Sequence, residues 1–265
     1  GHGGAGLGMV EFALVAEAAG APVAALPLLG SIAMAATAIA TGGREAQKAL
    51  WLPQLANGSV IGACAGRHNL SVEDDRLSGQ FDFVPHGAIA ELFVVGDANG
   101  AWIIRSDAPG VSVTPHTTMD QTRPFASISL SNTPAEAMPN GLSGLQAARE
   151  AGLICLAAEA LGGAQACLDR TIAYAKERVQ FGRAIGSFQA YKHRLADMMV
   201  EIEQARSAVY WAACAVDEGS DEAPLALHAA KSFCADTYFM VAGNMIQLHG
   251  GIGFTWEHDA HLFFK

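Results

Sequence analysis

Residues 178–189 (Arg178-Val-Gln-Phe-Gly-Arg-Ala-Ile-Gly-Ser-Phe-Gln189) join two long stretches of helical periodicity through a tight, glycine-containing turn. The first stretch runs from about Ser143 to Arg178. The second runs from Ser187 to about Asp217 and sets Phe188, Tyr191, Leu195, Met198, Ile202, Ala205 and Val209 at alternating three- and four-residue steps. That spacing is the seam of a helix bundle. A third stretch, from about Ala223 to Leu248, ends at Gly250-Gly251, as helices do where a left-handed residue closes the last turn. Ser187 is expected to cap the second helix. A connection needs only glycine and a cap. This one also carries an arginine, an aromatic ring and an amide, groups suited to a large anion such as a nucleotide. The plainer alternative puts Phe181 and Phe188 in a core and lets Arg183 cap a helix end.

Upstream, the chain divides by composition. Residues 1–58 are Ala-rich and helical, with Val10, Leu14, Val15 and Ala18 on one apolar face, a break at Pro27, a second helix over Ser31 to Thr41 and a third from Arg44 to Asn57-Gly58. Residues 59–140 read as short strands: Val60 to Cys64, Leu77 to Val84, Leu92 to Val95, Trp102 to Ile104 and Ser127 to Leu130, with turn residues between them. They suggest a small antiparallel barrel or sandwich. Residues 141–265 form the helical region described above, a C-terminal helix bundle. The fold class is α+β.

Bulk properties exclude several functions. A net charge of −10 argues against nucleic-acid binding. Hydrophobic residues make up 51% and charged residues 16%, which points to large subunit interfaces. Ala33 to Ala40 is too short for a membrane span and reads as a buried helix. The five cysteines are widely spaced and are expected to be small core residues in a reducing, cytoplasmic setting. No signal-peptide pattern opens the chain, and both ends look truncated. Glu257-His258-Asp259-Ala-His261 offers two histidines at helical spacing but no third metal ligand. Gly1-His-Gly-Gly-Ala-Gly6 lacks the strand and the Lys-Ser/Thr of a phosphate loop. Ser127, Ser129 and Ser131 line a strand without a nucleophile elbow.

The 178–189 corner resembles the Arg-x-x-Phe-Gly-x-x-(Ile/Leu)-x-x-x-Gln signature of the acyl-CoA dehydrogenase family, met by Arg178, Phe181, Gly182, Ile185 and Gln189. Gln247-Leu-His-Gly-Gly-Ile-Gly-Phe254 resembles the family's Gln-x-x-Gly-Gly-x-Gly-(Phe/Tyr) segment, with Gln247, Gly250 and Gly251 in place. Leu77 to Val84 and Thr118 to Pro124 are looser echoes, the latter of an actinobacterial branch. The order of helices, small β domain and helix bundle is also that of the family, and the resemblance implies that the C-terminal bundle is a four-helix bundle. The resemblance implies FAD, with these residues touching the ADP half of a flavin bound mainly by a neighbouring subunit. Arg178 would pair with the pyrophosphate, Phe181 would shield the adenosine and Gln189 would hydrogen-bond to it. It implies an acyl-CoA substrate, a homo- or hetero-tetramer built as a dimer of dimers, and an electron-transfer flavoprotein as acceptor.

Two departures sharpen this expectation. Where the family carries Thr-Glu-Pro-Gly-Ala-Gly-Ser-Asp, this chain reads Cys64-Ala-Gly-Arg-His-Asn-Leu-Ser71. The family reaction removes a proton α to the thioester while the flavin N5 takes the β-hydride, and so needs a carboxylate base. One of the two family positions for that base aligns with Gly152, and the other lies beyond Lys265. Glu150 and Glu159 are nearby on the same helix. The resemblance therefore implies a subunit of lipid or steroid side-chain degradation that completes a partner's FAD site, in the manner of α2β2 members of the family. A degenerate scaffold without flavin is one alternative, and an active homotetramer whose base lies beyond Lys265 is another.

Overall fold

A computed structural model describes residues 4–66 and 70–265. Gly1–Gly3 of the opening glycine-rich segment, and Arg67-His68-Asn69 within the segment that replaces the family's Thr-Glu-Pro run, lie outside the described residues. The described residues pack as two compact units, one of residues 4–7, 25–66 and 70–152 and the other of residues 8–24 and 153–265.

In the first unit, a π-helical stretch Leu28–Ala36 runs into α2 (Thr37–Gly42), and α3 (Glu45–Ala56) follows. Two four-stranded sheets then form. One has β1 (Gly62–Gly66), β4 (Leu92–Gly96), β5 (Ala101–Arg105) and β8 (Glu136–Ala137) in that spatial order. The other has β2 (Ser71–Glu73), β3 (Arg76–Pro85), β7 (Phe125–Pro134) and β6 (Val111–Pro115). The expected barrel or sandwich takes the sandwich form, and no closed barrel is present among the described residues. It is not wholly antiparallel, because β1 pairs with β4 in parallel. The segment from β1 to β4 includes β2 and β3 of the other sheet, and this long crossover permits parallel pairing.

Strand alternation explains the core. Phe93 and Val95 of β4 face the second sheet and pack with Leu77, Phe81, Ile128 and Leu130. Leu92 and Val94 point the other way and pack with Ala38, Ile39, Trp51 and Leu55 of the helices. The first sheet is thus covered on both faces, which is why β4 reads as an unbroken apolar run. Three strands absent from the sequence reading, β2, β6 and β8, are edge strands. β2 and β8 are very short and exposed, with no inward face to write an alternating pattern, whereas β6 does alternate, with Val111 and Val113 partly buried against the sheet core.

The second unit holds α1 (Met9–Gly20), most of α4 (Gly141–Glu177), α5 (Gln189–Asp217), α6 (Ala223–His249) and the short α7 (Ala260–Phe264). The α5 seam is inward: Met198, Ile202, Ala205 and Val209 are buried. The predicted face of α1 is wrong. Ala13 and Ala16 are buried, whereas Leu14 and Val15 are 49% and 58% exposed. Backbone proximity decides it. A Cβ on Gly20 would overlap the carbonyl of Glu159, and one on Gly162 would overlap that of Glu17. Helices this close admit only small residues between them. Glu17 is then fixed by Arg206 and by the Tyr210 hydroxyl, which donates to it at 3.1 Å.

α4 is long and apolar enough to cross a membrane, but 67% of its most apolar window is buried inside the protein. It is a core helix. Ala33, Ala35, Ala38 and Ile39 are likewise buried. Cys64, Cys155, Cys167 and Cys234 are buried and free, and Cys214 is exposed, contrary to a core role for all five. Burial pushes the Cys64 thiol up to about 12.

Candidate functional site

The corner between α4 and α5 is a miniature hairpin. β9 (Val179–Gln180) pairs with β10 (Arg183–Ala184). The two residues between them, Phe181 and Gly182, have φ of 54° and 78°. Positive φ at both central positions is the type I′ pattern, whose twist suits a two-residue hairpin. Glycine adopts it freely, while phenylalanine is strained there. The strained residue is also 92% exposed. A core role for Phe181 is therefore excluded. Its ring meets Phe188 edge-on at 6.2 Å, and the Arg183 guanidinium lies over Phe188 at 4.0 Å. Arg183 is thus engaged in a cation–π contact.

Arg178 is exposed and makes no side-chain hydrogen bond or ion pair among the described residues. Its backbone N–H donates to Tyr174, and its carbonyl accepts from the N–H of Ile185 at 2.8 Å, which closes the corner. Ile185 begins a 3-10 turn, and Gln189 opens α5 with its side chain exposed. Ser187 does not cap α5. Phe188 holds the cap position, and the Ser187 hydroxyl donates instead to the Ala184 carbonyl at 2.7 Å. The intervening 3-10 turn moves the helix start past the serine.

The second signature begins on the last turn of α6. Gln247 is exposed, and Gly250 closes the helix at φ 64°. A Cβ on Gly182, Gly250 or Gly251 would meet nothing within 4 Å. Bare backbone in open space suits close approach of a nucleotide. The two signatures are brought together by residues the sequence reading overlooked. Tyr174, one helical turn before Arg178, stacks on His249 at 4.4 Å, and its hydroxyl donates to the His249 carbonyl at 3.3 Å. The i, i+4 spacing of Tyr174 and Arg178 was the available signal. Tyr191, early in α5, has a buried hydroxyl with no hydrogen-bond partner among the described residues. Burial, with Tyr174 nearby, pushes that phenol up to about 12. The exposed cation, the open glycines and the ring between them fit an FAD adenylate.

Other candidates resolve differently. Gly152 is buried, and a Cβ there would stand 3.3 Å from Met34 Cγ and 3.7 Å from Leu29 Cδ1. Glu150 accepts from Gln146 Nε2 at 2.7 Å, a surface hydrogen bond within one helix. Glu159 is also partnered. His258 accepts from the backbone of Ala260 and lies 4.5 Å from the His249 ring, while His261 meets Trp256 edge-on. No cluster of three metal-ligating side chains occurs among the described residues. Asp120 caps its own turn by accepting from the Thr122 N–H and hydroxyl. Ser127 donates to Asp82 at 2.7 Å and lies 2.9 Å from His116 Nε2. Here the serine sits between the other two, so the histidine is not an oriented base acting on it.

Comparison with known proteins establishes the family. The profile described as "Acyl-CoA dehydrogenase, C-terminal domain" matches residues 140–265, and "Acyl-CoA dehydrogenase, N-terminal domain" matches residues 1–59. The acyl-CoA dehydrogenase IpdE2 of Mycolicibacterium smegmatis is 35% identical over 99% of this chain and 74% of its own length. The Tcur3481-Tcur3483 steroid ACAD superposes with a TM-score of 0.89 at 32% identity, covering 99% of this chain and 76% of that one. The ChsE4-ChsE5 complex from Mycobacterium tuberculosis gives a TM-score of 0.88 at 28% identity, over 99% and 75%. The chain belongs to the acyl-CoA dehydrogenase family of FAD-dependent oxidoreductases.

Proposed function

We propose that this chain supplies the cross-subunit half of an FAD site in a dimer of dimers, and that a partner subunit provides the catalytic base. One observation carries the reading: the flavin signatures are exposed, unpaired and joined, while one of the two family positions for the base is a glycine packed against Met34 and Leu29. Arg178 binds the pyrophosphate through its planar fork, with Gln189 and Gln247 holding the adenosine by hydrogen bonds. Phe181 covers that end from water. When bound, FAD supplies the hydride acceptor for α,β-dehydrogenation of an acyl-CoA. Residues 1–58, 59–140 and 141–265 are read as the family's N-terminal helical, middle β and C-terminal helical domains. Likeness to the steroid ACAD and to the ChsE4-ChsE5 complex favours a heteromer acting on a lipid or steroid side chain in the cytoplasm, with an electron-transfer flavoprotein as acceptor.

The test is expression of the chain alone and with its genomic neighbour, with flavin absorbance recorded for each. Flavin that appears only on co-expression is the expected result. A yellow, active protein from this chain alone would remove the accessory role, and a colourless product in both cases would favour a scaffold.

A further inference from the structure

We infer that Tyr174 and His249 are positioning residues that lock the Arg178–Gln189 corner and the Gly250–Gly251 turn at one fixed spacing, so that both grip a single adenine nucleotide. The inference rests on the proposed cross-subunit FAD site and concerns how this chain shapes its share of it. Tyr174 and His249 are 75 residues apart in sequence, yet their rings stack at 4.4 Å with 22° between planes. The Tyr174 hydroxyl ends on the His249 carbonyl, the last acceptor before Gly250. The Tyr174 carbonyl accepts from the Arg178 N–H at 2.9 Å, the first donor of the corner. One residue therefore touches the root of both signatures: its side chain meets His249, and its backbone carbonyl, in the last turn of α4, receives the Arg178 N–H.

The histidine is held in turn. His249 is buried, and its Nδ1 lies 2.7 Å from the Met245 carbonyl, one helical turn back. That contact makes Nδ1 the protonated nitrogen and fixes the ring plane. His258 packs against the same ring at 4.5 Å. On the corner side, Gly186 lies so close to the end of α4 that a Cβ there would stand 3.0 Å from the Ala175 carbonyl. Each signature thus rests on a fixed base, and Tyr174 joins the two bases. A grip with two separated contacts gains more affinity when their spacing is set before the ligand arrives, because less ordering is left to binding.

The experiment uses the co-expressed assembly, stripped of flavin and titrated with FAD and with ADP, with Tm measured for every variant. Tyr174→Leu removes both stack and hydrogen bond and is expected to weaken FAD and ADP binding about tenfold. Tyr174→Phe keeps the stack and is expected to weaken both about threefold at unchanged Tm. Because the loss passes through the corner, Tyr174→Leu should cost less in an Arg178→Ala background than in the wild type. Wild-type FAD affinity in both Tyr174 variants, beside a loss in Arg178→Ala, overturns the inference alone. So does a fall in Tm without a change in affinity, or strict additivity in the double variant. Should Tyr174→Leu fail to fold, Tyr174→Phe decides: weakened binding supports the role, and wild-type binding overturns it. Unchanged affinity in Arg178→Ala overturns the underlying site and this inference with it.

Discussion

Phe181 is a residue out of place by every local rule. It holds a left-handed conformation that its side chain resists, and it turns an unshielded ring to solvent. For a residue with a Cβ, that conformation costs about 1–2 kcal/mol, and asparagine tolerates it better. Phe181→Asn is therefore expected to raise stability by about 1 kcal/mol while weakening FAD binding by the assembly. Thermal denaturation and FAD titration of the same preparation check both halves. A variant that gains stability without losing affinity would make Phe181 a mere turn residue. The identity of this ring was legible in the sequence as part of a signature. Its backbone angle was not, because φ at a non-glycine depends on the hairpin formed by neighbours two residues away on each side. Ser187 failed for a similar reason. Its hydroxyl chose the nearer Ala184 carbonyl, inside a 3-10 turn that periodicity does not announce.

Helices and strands were legible where one face is buried and the other is not. The α5 seam and the long strands β3 and β7 fit that description, β4 was legible instead as an unbroken apolar run, and the short exposed edges β2 and β8 carry no pattern. α1 shows how the rule fails: its bulky residues face outward because Gly20 and Gly162 draw backbones together, and small residues fill the gap. The end of β3 adds a contact that no pattern encodes. His86, at φ 59°, accepts at Nδ1 from the N–H of Gly30 in the π-helical stretch, 3.2 Å away. Burial lowers its pKa to about 4, the Arg123 charge adds to this, and the Leu26 backbone opposes it. The native imidazole thus stays neutral while the unfolded one protonates below its ordinary 6.5. Its stability contribution is complete above pH 6.5 and is lost as pH falls towards 4. Relative to His86→Asn, which keeps an acceptor but cannot titrate, the wild type should lose about 3 kcal/mol across that window. Denaturant titrations of both proteins at stepped pH read the difference directly. Parallel curves would mean that His86 is not held neutral.

At the scale of the whole molecule, the apolar composition noted at the outset has a structural counterpart. In the C-terminal unit, Leu225 on α6 is exposed, and so are Phe239 and Phe264, whose rings meet at 5.3 Å between α6 and α7. Phe254 and Trp256, just after the diglycine turn, are exposed as well. Contiguous exposed apolar surface marks interaction sites, and Phe239 and Phe264 make such a pair. Phe254 and Trp256 follow Gly250 and Gly251 within a few residues, so on the proposed reading a partner that covers them would also come to the turn. A stable interface of this kind buries at least about 1,000 Å². Replacing Phe239 with glutamate places an uncompensated charge in such an interface, yet leaves the fold of a solvent-facing position intact. Phe239→Glu is accordingly expected to shift the co-expressed assembly towards smaller species in light scattering, and to lower its bound flavin in the same fractions. Phe239 touches none of the proposed flavin contacts. Loss of flavin with loss of assembly therefore argues that the cofactor is held between chains, whereas dissociation with flavin retained would place the whole of its site within one subunit.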